Sequence, residues 1–155
     1  MESLKERIRK RTKEFKETIK TEKLIDPYIR ELQNLGEVIG LIYPDSVYLS
    51  IYNQDVEEVE LKLTQLSSAL NVKWDKIVSK NEVIYNAVKY INKSESSKIT
   101  IFITIHCSKL NSCKIISVPT GRKKYVEKTI VEEVLEYKYL IDCGNKDGNG
   151  GSTNG

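Results

Sequence analysis

The sequence predicts an α+β fold: an N-terminal helical arm, then a mostly antiparallel sheet with one central helix packed on a face. Two segments, 2–23 and 55–70, repeat apolar side chains at helical spacing, whereas much of the remaining chain alternates apolar and polar residues as strands do. Short connections between strands favour antiparallel pairing. We therefore divide the chain into a basic helical arm (1–25), an α+β domain (26–143) and a disordered Gly/Asn-rich tail (144–155).

The arm is predicted to be one helix with a thin apolar stripe. Its members recur at helical spacing: Leu4, Ile8, Phe15 and Ile19. A stripe this narrow can bury only one edge of a helix, so the arm either lies across the body or pairs with another copy. We therefore predict that the stripe is an oligomer interface.

A second helix is predicted to begin at Asp26-Pro27, because Asp is a favoured N-cap and Pro a favoured first helical residue. Gly36 fits the left-handed position that ends such a helix. The β-rich runs 38–43 and 46–52 then flank Pro44-Asp45, a pair typical of a tight turn. They predict a hairpin.

Residues 55–70 are predicted to form the central helix. Asp55 is a suitable N-cap, and Asn71 can end the helix in a left-handed conformation. One face carries all the large apolar residues at spacings of three and four: Val56, Val59, Leu63, Leu66 and Leu70. We expect this face to pack on the sheet.

The remainder is predicted to be mainly strands, over residues 72–78, 83–91, 99–105, 113–118 and 133–143. A polar turn (79–82) joins the first two, and a flexible polar loop (92–98) follows them. Pro119-Thr120-Gly121 is expected to break regular pairing. Residues 122–143 also fit a helix, but the tight period of two in 133–143 favours a strand, and 123–132 is assigned the same way.

The net charge of +3 is unevenly distributed. Residues 1–25 hold nine Lys or Arg and five Glu, which gives +4 and leaves −1 for the rest. A basic arm indicates an anionic partner, the alternative being a solvated helix with intrahelical ion pairs. The predicted nucleic-acid-binding residues are the cations of this arm and of the basic turn after Gly121, for which a solvated loop is the alternative: Arg7, Arg9, Lys10, Arg11, Lys13, Arg122, Lys123 and Lys124.

Cysteine and histidine offer few routes to chemistry. Cys107 and Cys113 flank a five-residue loop and would face each other, near disulfide range, if that loop closed a hairpin. His106, the one histidine, precedes Cys107 on a strand, so the two side chains point to opposite faces, and a zinc site would have to recruit Cys143 as well. We therefore predict reduced structural thiols, no metal, no cofactor and no catalytic residue.

Nine tyrosines are the most notable side chains. Tyr43, Tyr48 and Tyr52 fall on the predicted hairpin, and other tyrosines fall on later strands. Tyrosine suits protein interfaces because it combines apolar area with a polar tip, and beside lysine it can stack on single-stranded bases. The alternative is that these rings simply cover the open face of the sheet.

In layout the chain resembles small uncharacterised proteins of tailed bacteriophages. The shared features are the Lys/Arg-rich opening helix from Lys5 to Lys13, a single central helix between strands, and the terminal strand Tyr139-Leu140-Ile141-Asp142-Cys143. The resemblance implies a viral accessory protein and brings no activity or site residues with it.

Three functional hypotheses follow. We expect a small non-enzymatic interaction protein that binds a protein partner or itself; the alternative is a nonspecific nucleic-acid-binding protein that uses the basic arm and the 122–124 turn. An enzyme with a spatially assembled site is the third possibility. The apolar runs are too short to span a bilayer, so no membrane partner is expected, and no small-molecule ligand is indicated. Three cysteines, without an apolar leader sequence, predict a reduced, cytoplasmic protein.

Overall fold

The computed structural model describes residues 1–111, 113–126 and 132–144. These ranges contain two helices and seven strands: α1 (Leu4–Leu32), β1 (Ile39–Ile42), β2 (Ser46–Asp55), α2 (Val56–Leu70), β3 (Asp75–Val78), β4 (Val83–Ser94), β5 (Ser97–Lys109), β6 (Lys114–Val126) and β7 (Glu132–Asp142). Five strands form one sheet in the order β1-β2-β5-β4-β3, and β6 pairs with β7 in a separate two-stranded sheet. The predicted α+β class is confirmed.

The strand pairings described are antiparallel with one exception, the parallel pair β2–β5. This pair places β5 in the middle of the sheet, between β2 and β4. Strands so far apart in the chain have no shared turn to fix their register, which is why local sequence patterns did not predict this pairing.

Alternate residues of the strands face the two helices and form the core. Their side chains are buried: Val47, Leu49 and Ile51 on β2, Val83, Tyr85 and Ala87 on β4, and Ile99, Ile101, Ile103, Ile105 and Cys107 on β5. Ile25 and Leu32 of α1, with Val59, Leu66 and Leu70 of α2, pack against them. The opposite face of this sheet is not covered by either helix, since its large side chains remain exposed.

The central helix α2 agrees with its prediction. The Asp55 carboxylate accepts hydrogen bonds from the backbone N–H groups of Glu57 (2.9 Å) and Glu58 (3.2 Å). These bonds satisfy orphan donors at the positive end of the helix. Asn71 ends the helix in the left-handed conformation (φ 51°), as expected. The apolar face packs on β2 and β5.

The predicted break at Asp26-Pro27 is wrong, because α1 runs without interruption from Leu4 to Leu32. Proline inside a helix costs about 3 kcal/mol. Here Ile25 and Leu32 are both fully buried on either side of Pro27, so core packing outweighs that cost. Asp26 does not act as an N-cap; its carboxylate accepts from Arg30 Nε at 2.8 Å.

The ends of α1 also differ from prediction. Its N-terminus carries a capping box: Ser3 Oγ accepts from the Glu6 backbone N–H, and Glu6 Oε2 accepts from the Ser3 N–H. The spacing Ser-x-x-Glu was a signal for this cap. The predicted left-handed Gly36 is wrong. A Cβ at Gly36 would lie 2.8 Å from Gln54 Nε2, but that atom ends a flexible side chain that can shift, so the site does not strictly require glycine.

The hairpin over β1 and β2 is confirmed, with Ile42 paired to Val47 across Pro44-Asp45. The predicted flexible loop over 92–98 is wrong, since β4 extends to Ser94 and β5 begins at Ser97. The polar composition of 92–98 indicated a loop because this end of the β4–β5 hairpin has few core residues. The two strands nevertheless continue to pair, since their backbone N–H and C=O groups form hydrogen bonds with each other.

The β6–β7 ribbon contains the expected irregularity. The register shifts between Pro119 and Lys123, where Gly121 adopts a positive φ of 78° that favours glycine. β6 nevertheless continues beyond this bulge to Val126, and β7 confirms the strand assignment of 133–143. The assignment of 123–132 reaches residues 127–131, which lie outside the described residues, as does the predicted tail beyond Gly144.

A cluster of polar contacts joins helix α1 to the sheet where the β1–β2 turn meets the end of β4. Lys93 Nζ lies 2.9 Å from Glu17 Oε2 and donates to the Pro44 carbonyl at 2.9 Å. The fully buried Thr21 donates its hydroxyl to the same carbonyl at 2.7 Å. Hydrogen bonds from Lys93, then from Lys20, lower the pKa of the Glu17 carboxyl to about 2. We call Glu17, Thr21, Pro44 and Lys93 the helix anchor.

We predict that Lys93→Met lowers the thermal transition midpoint by about 2–4 °C, because it removes the charged donor of the Pro44 carbonyl and leaves the Glu17 carboxylate with Lys20 alone. A depressed carboxyl pKa contributes stability that is present above its unfolded pKa and lost as the pH falls towards 2. The difference between wild type and variant should therefore shrink between about pH 4.5 and pH 2. Thermal unfolding followed by circular dichroism across that range measures it; an undiminished difference at pH 2 would rule out this origin.

Candidate interaction surfaces

The N-terminal half of α1 projects beyond the helix anchor. Residues 1–16 are all exposed, and the first fully buried residue of α1 is Thr21. Leu4 and Phe15 are each 66% exposed and Ile8 is 56% exposed, while Ile19 is half-buried. The predicted stripe is therefore present on the helix, but three of its four residues, Leu4, Ile8 and Phe15, are exposed and do not pack on the body.

Basic residues lie beside the apolar stripe on both of its edges. At 3.6 residues per turn, the stripe falls within an arc of about 60°, and Glu6 and Glu14 lie more than about 100° from its centre. The residues that flank the stripe are instead basic: Arg7 and Arg11 on one side, Lys5 and Lys16 on the other. Arg9, like Glu14, lies about 110° from the centre of the stripe, and Lys10 and Lys13 lie on the far side of the helix. Residues 4–16 hold seven cations and two carboxylates, a net charge of +5.

The second predicted cationic site lies in a different part of the molecule. Arg122, Lys123 and Lys124 follow the bulge in β6 and are exposed. The two groups of predicted nucleic-acid-binding cations therefore lie on different elements, one on α1 and the other on the β6–β7 ribbon.

The side of the five-stranded sheet that faces away from the helices is uncovered by them, and its central row is apolar. We call this surface the open face. Strand register defines the row: Leu41 of β1 pairs with Tyr48 of β2, Tyr48 with Phe102 of β5, and Phe102 with Val88 of β4. Paired residues point to the same side of a sheet. These four side chains are 36–60% exposed.

Aromatic rings on the open face are already ordered against one another. Tyr48 stacks on Phe102 with ring centroids 4.9 Å apart, and Tyr43 contacts Tyr48 edge-on at 6.3 Å. Tyr52 stacks on His106 at 4.5 Å, and His106 Nδ1 lies 3.2 Å from Glu82 Oε2. The rings thus form a pre-organised surface, which limits the side-chain entropy that binding would cost.

Charge is scarce on the open face. Within strands β1–β5, Lys98 is the only lysine or arginine on this side of the sheet. Asp75 and Glu82 lie towards the end occupied by His106, whereas Lys98 lies at the other end of β5, where the adjoining turns carry Asp45 and Glu95. An apolar centre with sparse charge is the composition of a protein interface core.

The thiols are arranged differently from the prediction. Cys113 is bonded to Cys143 with an S–S distance of 2.09 Å, and Cys107 is the free, buried thiol. The predicted approach of Cys107 to Cys113 is wrong because β5 and β6 belong to separate sheets. The pairing of Lys114 with Asp142 instead brings Cys113 beside Cys143. Burial, reinforced by the Asp55 carboxylate, raises the pKa of the Cys107 thiol to about 12.

One polar cluster, with buried Tyr85 and the more exposed Glu60 and Lys76, joins α2, β3 and β4. Tyr85 donates its hydroxyl to Glu60, which also pairs with Lys76 at 2.7 Å. Burial opposes ionisation of Glu60, but the bonds from Lys76 and Tyr85 lower its pKa, and burial together with Glu60 raises the pKa of Tyr85. Glu60 and Lys76 line a cavity of about 550 Å³. Because the polar atoms of Glu60, Lys76 and Tyr85 bind one another, we assign this cluster a structural role.

Within the described parts of the chain, no three His, Cys, Asp or Glu side chains are grouped as metal ligands. No helix there is long and apolar enough to cross a membrane. Comparison with protein-family models, with curated proteins and with solved structures finds no match to this chain.

Proposed function

We propose that the chain is a non-enzymatic interaction protein whose exposed helical half, residues 4–16, binds a protein partner. The observation that supports this is the exposure of Leu4, Ile8 and Phe15 on a helix that the body does not cover. Fully burying each such side chain stabilises a complex by about 1.5–3 kcal/mol before the costs of association. Anchors spaced along one helix face are typical of helix-in-groove recognition.

The charges around the stripe favour a partner other than a second copy. Helical halves that paired through their stripes would bring flanking cations together, at +5 on each side. Like charges opposed across an interface cost several kcal/mol. The complementary partner is a protein with an apolar groove whose rim is acidic.

The stripe also distinguishes a protein partner from nucleic acid. A phosphate backbone is bound by cations and does not require apolar side chains between them. Here the four apolar residues lie between Arg7 and Arg11 on one edge and Lys5 and Lys16 on the other. This arrangement matches an apolar groove with a charged rim.

A pull-down from native host extract, with nuclease treatment, tests the proposal. Wild type is compared with Ile8→Gln/Phe15→Gln, which keeps helix propensity, and with the control Leu61→Gln, which removes an 85% exposed leucine from α2. We expect a nuclease-resistant protein that wild type and control retain, that the double variant loses, and that high salt elutes. Equal retention by all three baits would refute the proposal.

Nucleic-acid binding is the second candidate, favoured by the exposure of the arm cations and of the 122–124 segment. Positions 7, 10 and 11 share one side of the helix, so about three phosphates can be neutralised, which predicts a log–log salt slope of about −2 to −3. Fluorescence anisotropy with unrelated DNA and RNA oligomers between about 50 and 200 mM salt measures this slope. Tight, salt-insensitive binding to one sequence would contradict it, and no binding at the lowest salt would remove the candidate.

The viral accessory role and the cytoplasmic location remain proposals. The first rests on the layout described above. The second has to be reconciled with the Cys113–Cys143 bond, because disulfides are rare in reducing compartments. Thiol counting on protein alkylated during extraction and then unfolded decides this point: three reactive thiols support the cytoplasm, and Cys107 alone supports an oxidising compartment.

A further inference from the structure

The size of the open face is the first observation that bears on what covers it. The face spans five strands, about 24 Å at a spacing of about 4.8 Å, and the outward residues from Lys98 to His106 extend about 26 Å. Because the edge strands β1 and β3 have only four residues each, the projected area is about 500 Å², somewhat below the ~800 Å² that each partner buries in a standard protein interface. The largest apolar patch of a typical monomer is about 300–600 Å².

We propose that the open face binds the same face of a second copy, forming a symmetric, face-to-face dimer. Two sheets packed in this way lie about 10 Å apart with interdigitating side chains. Because a two-fold interface sets one patch against itself, the patch must be self-complementary. The order of residues along β5 satisfies that condition.

The outward residues of β5 are arranged around Phe102 as their centre. Thr100 and Thr104 lie on either side of it, with Lys98 at one end and His106 at the other. A two-fold axis through Phe102, perpendicular to the strands, sets Phe102 against its copy and each threonine against the other. It also sets Lys98 opposite His106, which lies 3.2 Å from Glu82. The Lys98 ammonium of one copy then lies on the side of the other copy that carries Glu82.

The rows across the sheet follow the same symmetry. The central row, Leu41, Tyr48, Phe102 and Val88, is apolar and would lie at the middle of the interface. The adjacent rows are more polar, with hydroxyl and amide groups from Ser46, Ser50, Asn86, Tyr90, Thr100 and Thr104 beside the apolar Ile39, and the next row towards the β3–β4 turn contains Ile77, Ile84 and His106. An apolar centre within a polar rim is the usual anatomy of an interface.

A nucleic-acid ligand fits this face poorly. Stacking platforms for single strands combine aromatic rings with a cationic groove that follows the phosphates. The five strands here supply the rings but only Lys98 as a cation. The interface is also separate from the stripe on α1, so dimerisation and partner binding by the arm can be tested independently.

The proposal is tested by sedimentation velocity of the full chain over a range of concentrations up to about 0.1 mM. At that concentration only transient contacts would escape detection. The arm stripe is removed as a cause by repeating the measurement in the Ile8→Gln/Phe15→Gln background. We expect a monomer–dimer equilibrium in both. Phe102→Lys should raise the dimer dissociation constant at least about 10-fold, and the control Leu61→Lys should leave it unchanged. Circular dichroism verifies that each variant is folded, and Tyr48→Ser serves as a second probe of the central row.

Charge exchange supplies the sharper outcome. Lys98→Glu should weaken the dimer, and adding Glu82→Lys should restore it, because the opposed ends are again complementary. A wild-type chain that stays monomeric over the whole range would overturn the proposal. So would a dimer unaffected by both Phe102→Lys and Tyr48→Ser, or one abolished by the arm substitutions. Binding of single-stranded oligonucleotides that depends on Phe102 would assign the face to nucleic acid instead.

Discussion

Ile103→Ala is expected to destabilise the domain by about 3 kcal/mol, within the 2–5 kcal/mol range for truncating a buried isoleucine. Ile103 is 1% exposed and lies on β5, the middle strand, under the helices. The cavity left there has β2 and β4 on both sides, so little rearrangement can fill it. Urea unfolding, analysed by linear extrapolation, gives the value directly.

Phe102→Ala is the matched control, since the two residues are adjacent in sequence and face opposite sides of the sheet. Phe102 is 36% exposed on the open face. Its truncation should cost less than about 1 kcal/mol when measured at a concentration below that of dimer formation. Equal losses for Ile103 and Phe102 would contradict the assignment of one covered and one open face.

Breaking the Cys113–Cys143 bond is expected to have the second largest effect. The two residues are separated by 30 positions and close a loop that contains the β6–β7 ribbon. Chain-entropy arguments give about 2–4 kcal/mol for a loop of this size. The loss should be concentrated in the ribbon, which touches the five-stranded sheet chiefly through β3.

Cys113→Ser/Cys143→Ser measured by hydrogen exchange shows where that loss falls. Amides of β6 and β7 should lose protection, while those of β5 should change little. Wild type treated with reductant should match the double variant. Uniform loss of protection through β5 would show that the ribbon folds as one unit with the sheet, contrary to this prediction.

The sequence predicts the local elements well where one physical signal dominates. Asp55 and Asn71 bound α2 because caps act within one turn, and Pro44-Asp45 forms the hairpin turn because proline presets φ. The continuity of α1 through Pro27 could not be predicted, since it depends on burial of Ile25 and Leu32 by distant strands. Tertiary packing there overrides a local breaker signal.

The interaction surfaces were only partly readable from sequence. The stripe of Leu4, Ile8 and Phe15 follows from helical spacing alone. The central row of the open face does not, because the neighbours of Phe102 are set by the parallel pairing of β2 with β5, which no local pattern specifies. The disulfide depends in the same way on the register of β6 with β7.

We propose that residues 4–16 are exposed because they bind a partner, and that their apolar side chains do not contribute to the free energy of unfolding of the body. The most direct test is the free energy of unfolding of full-length Leu4→Gln/Ile8→Gln/Phe15→Gln against wild type, at a concentration below that of dimer formation. Since glutamine keeps helix propensity, we expect a difference within about 0.5 kcal/mol. A loss of more than about 1.5 kcal/mol would show that the stripe packs on the body and would contradict the account.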